Sequence, residues 1–424
     1  MQVGFAQRDI TPALGVAKIG MLRVIVPTEI LDPLCACAAV FESGGTTIGF
    51  ISLDVLSIRW TTTQQIRQGI EDRTGIPGGH IMVTASHTHG GPPTTNCGDV
   101  SRDEAYLQGL IEHCISAVAE AHASRRPARI AIGRSCEFDV AFNRRVVMRD
   151  GTTRTHGRFS DPDALCIEGP IDPEVGVIAA QSLSGDPLGL ILNFACHPTE
   201  RCGDEVFTAS WPGYMRAELA DRGWPHALFL NGAAGDVCPT DPSWNGAGRP
   251  MAETGAMMAA AAERALDDDL RWLSDAPLMA ARARLDLPYR EPLQEQIRGT
   301  VRGAQRFVDP DIYDRWMPHL VDRIRTRRTQ PAEVQAFDFG EHVVVSMPAE
   351  LFSWLGLQIK ERTHPRRTAV VGYANGMVGY VPHVEAFERG GYETTFAMSS
   401  RLAPEAGQLL VDAAVNLVSR RNPD

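Results

Sequence analysis

No apolar run in the 424-residue sequence approaches the length of a membrane span, so no transmembrane segment is expected. Positive charge is in deficit. Lys and Arg number 41 against 52 Asp and Glu, and the net charge of −11 argues against nucleic acid or an anionic membrane as a main partner. The opening residues, Met1-Gln2-Val3-Gly4-Phe5-Ala6-Gln7-Arg8, lack the basic start and apolar stretch of a secretory signal. The nine cysteines are odd in number and form no short paired framework, which favours reduced thiols and a cytoplasmic setting. Cys35-Ala36-Cys37 sits in an apolar run and reads as small core residues rather than a metal pair. No internal repeat or low-complexity linker marks a boundary, so residues 1–424 are expected to form a single domain. Nothing in the sequence determines an oligomeric state.

What the chain does have is alternation. Runs that read as strands (4–10, 46–55, 188–195, 227–231, 343–347) are interleaved with runs at helical spacing (61–70, 102–123, 211–222, 252–266, 403–418). Residues 294–327 read as mostly helical and charged, hence outer, and 149–163 as a long surface loop. The pattern predicts an α/β fold with a large mixed sheet as its core, covered on both faces by helices.

Strand after strand ends in a chemically loaded turn: Asp54, His87 with His89, His197, Asp236 with Cys238, and Glu350. Sites in α/β sheets gather at the carboxyl ends of strands. Ile81-Met82-Val83 leads as a strand into Ser86-His87-Thr88-His89, and Gly90-Gly91-Pro92-Pro93 stops it. Residues two apart on a strand share a face, so His87 and His89 can reach a common ion or substrate. With His197 and Glu350, His87 completes a plausible three-ligand zinc set that leaves a position open to water. Zinc there would lower the pKa of that water and polarise a carbonyl, with His89 free to act as acid or base. Each of these residues taken alone is more simply a loop or helix-start residue.

Several motifs in order make the chain resemble the neutral, non-lysosomal ceramidases. They are Gly4-Phe5-Ala6-Gln7-Arg8-Asp9-Ile10-Thr11-Pro12, Asp32-Pro33-Leu34, Ser52-Leu53-Asp54, His87-Thr88-His89, Asn143-Arg144 and Cys196-His197-Pro198. Gly235-Asp236-Val237-Cys238-Pro239, Gly379-Tyr380-Val381 and Gly391-Tyr392-Glu393 continue the series. The resemblance covers the catalytic domain, with no sequence left for the C-terminal immunoglobulin-like domain of those enzymes. It implies a ceramidase-like zinc hydrolase acting on the amide of an N-acylated sphingolipid. By matched motif it implies His87, His197, Glu350 and Tyr380 as zinc ligands, with His89, Arg144 and Tyr392 as the other active-site residues.

Two departures bear on the substrate. The ceramidases carry a catalytically important Ser where this chain has Cys238, and Ser-Gly-Pro where it has Gly90-Gly91-Pro92. A thiol is a better nucleophile and a softer metal ligand than a hydroxyl. Cys238 could attack, ligate, or mark an altered site; beside a cation, its pKa is expected to fall. The expected function is zinc-dependent hydrolysis of an amide, either a lipid N-acyl group or a smaller amide. The alternatives are hydrolysis of a small polar ester or lactone, and a catalytically altered zinc-containing binding protein.

Overall fold

The computed structural model describes residues 1–419 apart from 246–247, 269, 274–276 and 308–309. Its main sheet contains β1 (Gln2–Asp9), β2 (Cys35–Ser43), β3 (Thr46–Leu53), β4 (Ile81–Ala85), β5 (Arg126–Cys136), β6 (Glu174–Ser182), β7 (Pro187–Phe194) and β8 (Ala227–Asn231). Their order across the sheet is β8-β7-β6-β5-β1-β2-β3-β4, and Arg271–Leu273 pairs with β5. The β7–β8 and β3–β4 pairs are parallel and the other pairs antiparallel, so the sheet is mixed, as expected.

A second sheet is made of β9 (Met279–Pro288), β10 (Thr329–Asp338), β11 (His342–Ser346) and β12 (Arg367–Val371), in that order. This corrects the expectation of one sheet with helices on both faces: the main sheet has helices on one face and the second sheet on the other. The strand β2 shows why. Ala36, Ala38 and Val40 point to the helix layer, while Cys35, Cys37, Ala39 and Phe41 point to the second sheet. Both faces are apolar, so both must be covered. Phe41, Phe50, Phe337 and Phe339 fill the space between the sheets edge to face, with Phe50 and Phe337 ring centroids 5.1 Å apart. The sequence reading includes β11 as a strand, but β9 escaped it because it alternates charged and apolar residues and lies half exposed, so a separate sheet was not expected.

Helices α1 (Trp60–Thr74), α2 (Glu104–Ala123), α3 (Trp211–Asp221) and α4 (Met251–Asp268) bury Ile66, Leu110, Val118, Trp211 and Met258 against the main sheet. Helices α5 (Pro310–Arg327), α6 (Ser353–Thr363) and α7 (Ala406–Ser419) bury Leu320, Leu355, Ile359 and Leu410 against the second. The layers therefore run helix, sheet, sheet, helix. The expected surface loop at 149–163 contains a short strand, Thr153–Thr155, in a three-stranded ribbon with Arg145–Met148 and Ala164–Ile167. Among the described residues no helix is long and apolar enough to cross a membrane.

Parallel pairing aligns the carboxyl ends of neighbouring strands. The ends of β4, β7, β8, β11 and β12 run directly into the segments that carry His87, His197, Cys238, Glu350 and Tyr373. Truncation of Phe50, fully buried between the sheets, should destabilise the protein by about 3–5 kcal/mol. Urea unfolding of Phe50→Ala checks this; a loss below about 1 kcal/mol, the scale of an ordinary surface change, would mean the aromatic layer is not a packed core.

Candidate metal centre

His87 and His89 meet by a turn rather than by sharing a strand face. The strand β4 ends at Ala85, and His87 sits in the left-handed region at φ 68°. Such a conformation is uncommon for a side-chain-bearing residue and is held by its surroundings. Here His87 N–H donates to Val55 O, and its ring stacks on Tyr373 with centroids 4.1 Å apart. The rings of His87 and His89 lie 5.1 Å apart and those of His87 and His197 4.7 Å apart.

Each imidazole is fixed from behind by a carbonyl. His87 Nδ1 lies 2.7 Å from Leu56 O, His89 Nδ1 3.0 Å from Gly20 O, and His197 Nδ1 2.5 Å from Ala234 O and 3.1 Å from Val237 O. A carbonyl only accepts, so all three Nδ1 atoms carry protons and the three Nε2 atoms face inward. Gly20 makes one of these contacts possible. At φ 124° and with a would-be Cβ only 2.8 Å from the His89 side chain, the position admits no larger residue without displacing that ring.

Glu350 completes the floor. Its Oε2 lies 3.2 Å from both His87 Nε2 and His197 Nε2. Glu350–Leu351 pairs in parallel with Tyr380–Val381, which sets Glu350 directly beside Tyr380. Gly235 lets this ladder approach, since a Cβ there would meet Glu350 O at 2.4 Å. Burial alone would raise the Glu350 carboxyl, but His87 and His197 outweigh it and hold it well below the ordinary carboxylate range. Burial depresses His197 to about 4, helped by Arg144, and burial depresses His89 well below the ordinary imidazole range. Burial and the Glu350 charge raise the Tyr380 phenol.

The ligand nitrogens of His87, His89 and His197 all lie within 4.8 Å of one another, a group able to hold a metal ion. Two features fit that group. His89 Nε2 is buried with no hydrogen-bond partner among the described residues, a costly state for a polar atom. Two imidazole lone pairs also converge on one carboxylate oxygen, an arrangement of acceptors that repel unless a cation or proton lies among them. His89, which the sequence reading sets apart from the ligands, brings its ring nitrogen to the same space as theirs.

Arg144 reaches the same floor but is engaged by the protein. Its Nη2 donates to Gly235 O at 2.8 Å and to Tyr380 Oη at 3.1 Å, and its Nε donates to Glu393 Oε1 at 2.8 Å. Glu393 is the member the sequence reading missed, although it stands next to Tyr392 in a quoted motif. It is fully buried and also accepts from Arg145 Nη1 at 2.7 Å and Thr155 Oγ1 at 2.7 Å. Burial would raise this carboxyl, but Arg144 and Arg145 override it and hold it near 2. Tyr392 lies half-buried, its ring 5.6 Å from that of Tyr380.

Two other loaded strand ends are structural. Asp54 accepts from Cys35 N–H and pairs with Arg216, and Asp236 accepts from Ser353 N–H at 2.7 Å and Asn143 Nδ2 at 2.8 Å.

No protein-family model matches the chain. Two solved structures are similar over 100% of it. One is the neutral ceramidase from Pseudomonas aeruginosa, 20% identical with a TM-score of 0.75, of whose chain 75% is covered. The other is a ceramidase complexed with C2, 19% identical with a TM-score of 0.73, 77% covered. The fold is that of the neutral ceramidases.

Within the neutral ceramidase fold, the two expected departures have packing consequences. Gly90 abuts Thr208, whose carbonyl oxygen would lie 2.5 Å from a Cβ at position 90, so this glycine answers to backbone packing. Cys238 is buried in the short ladder between Val237–Cys238 and Phe142–Asn143, with Sγ 3.8 Å from Thr240 O. Burial raises the Cys238 thiol, and Arg144, the neighbouring cation of the protein itself, offsets only part of that.

Iodoacetamide should therefore modify the exposed Cys136 and Cys166 first and reach Cys238 only on unfolding. Peptide mapping that finds Cys238 alkylated ahead of them in native protein would reverse this conclusion. Glu393→Gln should cost about 3–5 kcal/mol, because it leaves the buried Arg144 without a carboxylate partner and removes one of the two that Arg145 has. The Glu393 contribution has a depressed folded-state pKa, so it is complete above the ordinary carboxyl value of about 4.3 and is lost as pH falls toward about 2. Acid unfolding of the wild type and Glu393→Gln should accordingly converge at low pH; a gap that persists unchanged at about pH 2 would sink the assignment.

Proposed function

We propose that this protein is a zinc-dependent hydrolase of an amide bond, with residues 1–424 forming one ceramidase-like catalytic domain. The observation that carries the reading is the convergence of His87 Nε2 and His197 Nε2 on Glu350 Oε2, each at 3.2 Å. The ceramidase likeness supports the reaction class, and the ordered motifs support the residue roles. A lipid N-acyl amide or a smaller amide is the substrate class, with sphingolipid metabolism as the implied setting.

His87, His197, Glu350 and Tyr380 would hold the ion. Zinc in such a site supplies Lewis acidity, polarising a carbonyl and making water nucleophilic near neutral pH. His89 handles the proton: its Nδ1 is committed to Gly20 O, so its Nε2 is the atom that accepts and then returns it to the leaving nitrogen. Arg144 donates to Tyr380 Oη and so would brace that ligand, while Arg144 and Tyr392 would bind substrate polar groups or negative charge on the carbonyl oxygen. Tyr392 lines the approach. Cys238, with its thiol buried and neutral, packs beneath the site and leaves the attack on the carbonyl to water.

Protein purified without added metal should hold about one zinc per chain by elemental analysis. His87→Ala and His197→Ala should lose it. His89→Ala should keep zinc while turnover of an N-acyl amide falls by ~10²–10⁴-fold. Loss of zinc from His89→Ala would make His89 a ligand, and zinc-free protein with full turnover would remove the mechanism.

A further inference from the structure

Three segments far apart in sequence are bound into one wall beside the candidate centre. Gly391 N–H donates to Gly303 O, and Ala304 bridges Gly391. Gln305 N–H donates to Thr395 Oγ1 at 2.7 Å, while Gln305 Oε1 accepts from Thr155 N–H at 2.9 Å. Tyr392 N–H donates to Thr155 Oγ1 at 3.1 Å, and His156 N–H donates to Arg144 O at 2.7 Å. The buried Arg145 adds Gly390 O and Glu393 to the same net. None of these bonds touches the three histidines, yet together they fix how Tyr392, Phe307 and His156 stand.

Those side chains form a row. Tyr380 is nearly fully buried, and Tyr392 lies 5.6 Å from it. Phe307 follows at 4.8 Å from Tyr392, and His156 at 6.1 Å from Phe307. Exposure rises along the row, from buried Tyr380 through half-buried Tyr392 and Phe307 to exposed His156. It begins at the phenol that touches Arg144 and ends at the accessible ring of His156, whose own backbone binds Arg144 O. Phe307 is the unexpected member, because it comes from a segment the sequence analysis placed on the outside, and no motif points to it.

A half-buried phenylalanine between a site tyrosine and solvent offers an apolar face with nothing polar to satisfy. Backbone bonds on both sides hold it, so binding against it costs little ordering. We propose that Phe307, with Tyr392, is a specificity-determining residue that binds the apolar tail next to the scissile amide as the tail leaves the centre. The inference rests on the proposed amide-hydrolase reading for the identity of the ligand, while the wall itself does not depend on it. The tail can belong to the acyl side or to the amine side; the shared chemistry is an unbranched chain of several methylenes.

Binding of the two kinds of product separates these sources and needs no turnover. Hexanoate and acetate, and in parallel hexylamine and ethylamine, are titrated calorimetrically into the full chain as purified. One six-carbon probe should bind at least about ten-fold more tightly than its two-carbon partner, the effect of burying two or more methylenes. Phe307→Ala should remove most of that preference and leave the two-carbon affinity unchanged. In wild-type protein, saturation transferred from aromatic protons should reach the middle methylenes of the preferred probe, which keeps the test intact if the variant does not fold. Equal affinities for long and short probes, no binding of any probe, or an equal loss of both in Phe307→Ala overturns the role of Phe307. Chain-length-dependent binding without hydrolysis of any N-acyl amide would instead overturn the amidase reading and leave the tail wall standing.

Discussion

Three imidazoles held by their outer nitrogens, two of them meeting one carboxylate, form the constraint around which the rest of the molecule is arranged. Each Nδ1 proton is bound by a carbonyl from a different loop, at Leu56, Gly20 and Ala234. Each anchoring loop must therefore come close enough to give up a carbonyl, and that is where the special backbone positions fall. Gly20 lies against His89 with no room for a side chain, and His87 itself takes a left-handed turn. The cost is about 1–3 kcal/mol for a strained residue of this kind, and the structure bears it where it orients a ring.

The second constraint is electrostatic. Arg144 and Arg145 are neighbours in sequence and both buried, a state that burial alone would make costly. Glu393 resolves it by accepting from both, and Glu168 takes the other side of Arg145. The same carboxylate binds Thr155, so one buried acid ties the Arg144 end of the site to the ribbon at 145–167 and to the turn at 390–395. Such networks add rigidity when every member is satisfied. Here that rigidity reaches Tyr380 through Arg144, and it fixes the row of rings that leads outward.

The layered packing supplies the stage. Two sheets meet through edge-to-face phenylalanines, and each turns its other face to helices. Because parallel strands end on the same side, His197 and Cys238 emerge together from the main sheet while Glu350 and Tyr373 emerge from the second. The centre lies where the two sheets present those ends to each other, so neither sheet alone could assemble it.

How much of this was legible in the chain depended on the range of the physics involved. Strand and helix positions follow from local periodicity, and most were readable: β4, β7, β8 and the helices α1 to α4 lie within a few residues of their expected bounds. The residues of the centre were readable only in combination: His87, His89, His197 and Glu350 because they recur at the ends of several apolar runs, and Tyr380 only through the motif resemblance. What the sequence could not carry was direction. The face a histidine shows is decided by which distant carbonyl binds its Nδ1, and those carbonyls lie up to 69 residues away, as between His89 and Gly20. Whether a thiol can react depends on burial, and Cys238, which resembles a nucleophile in its motif, lies buried in the ladder it forms with Phe142. The strand β9 and Phe307 were invisible for the same reason: half-exposed residues have weak patterns, and their role comes from long-range contacts. Sequence alone determined the inventory of chemistry and the approximate order of elements. Only the tertiary structure decided which groups meet, because distance and desolvation are properties of the folded chain.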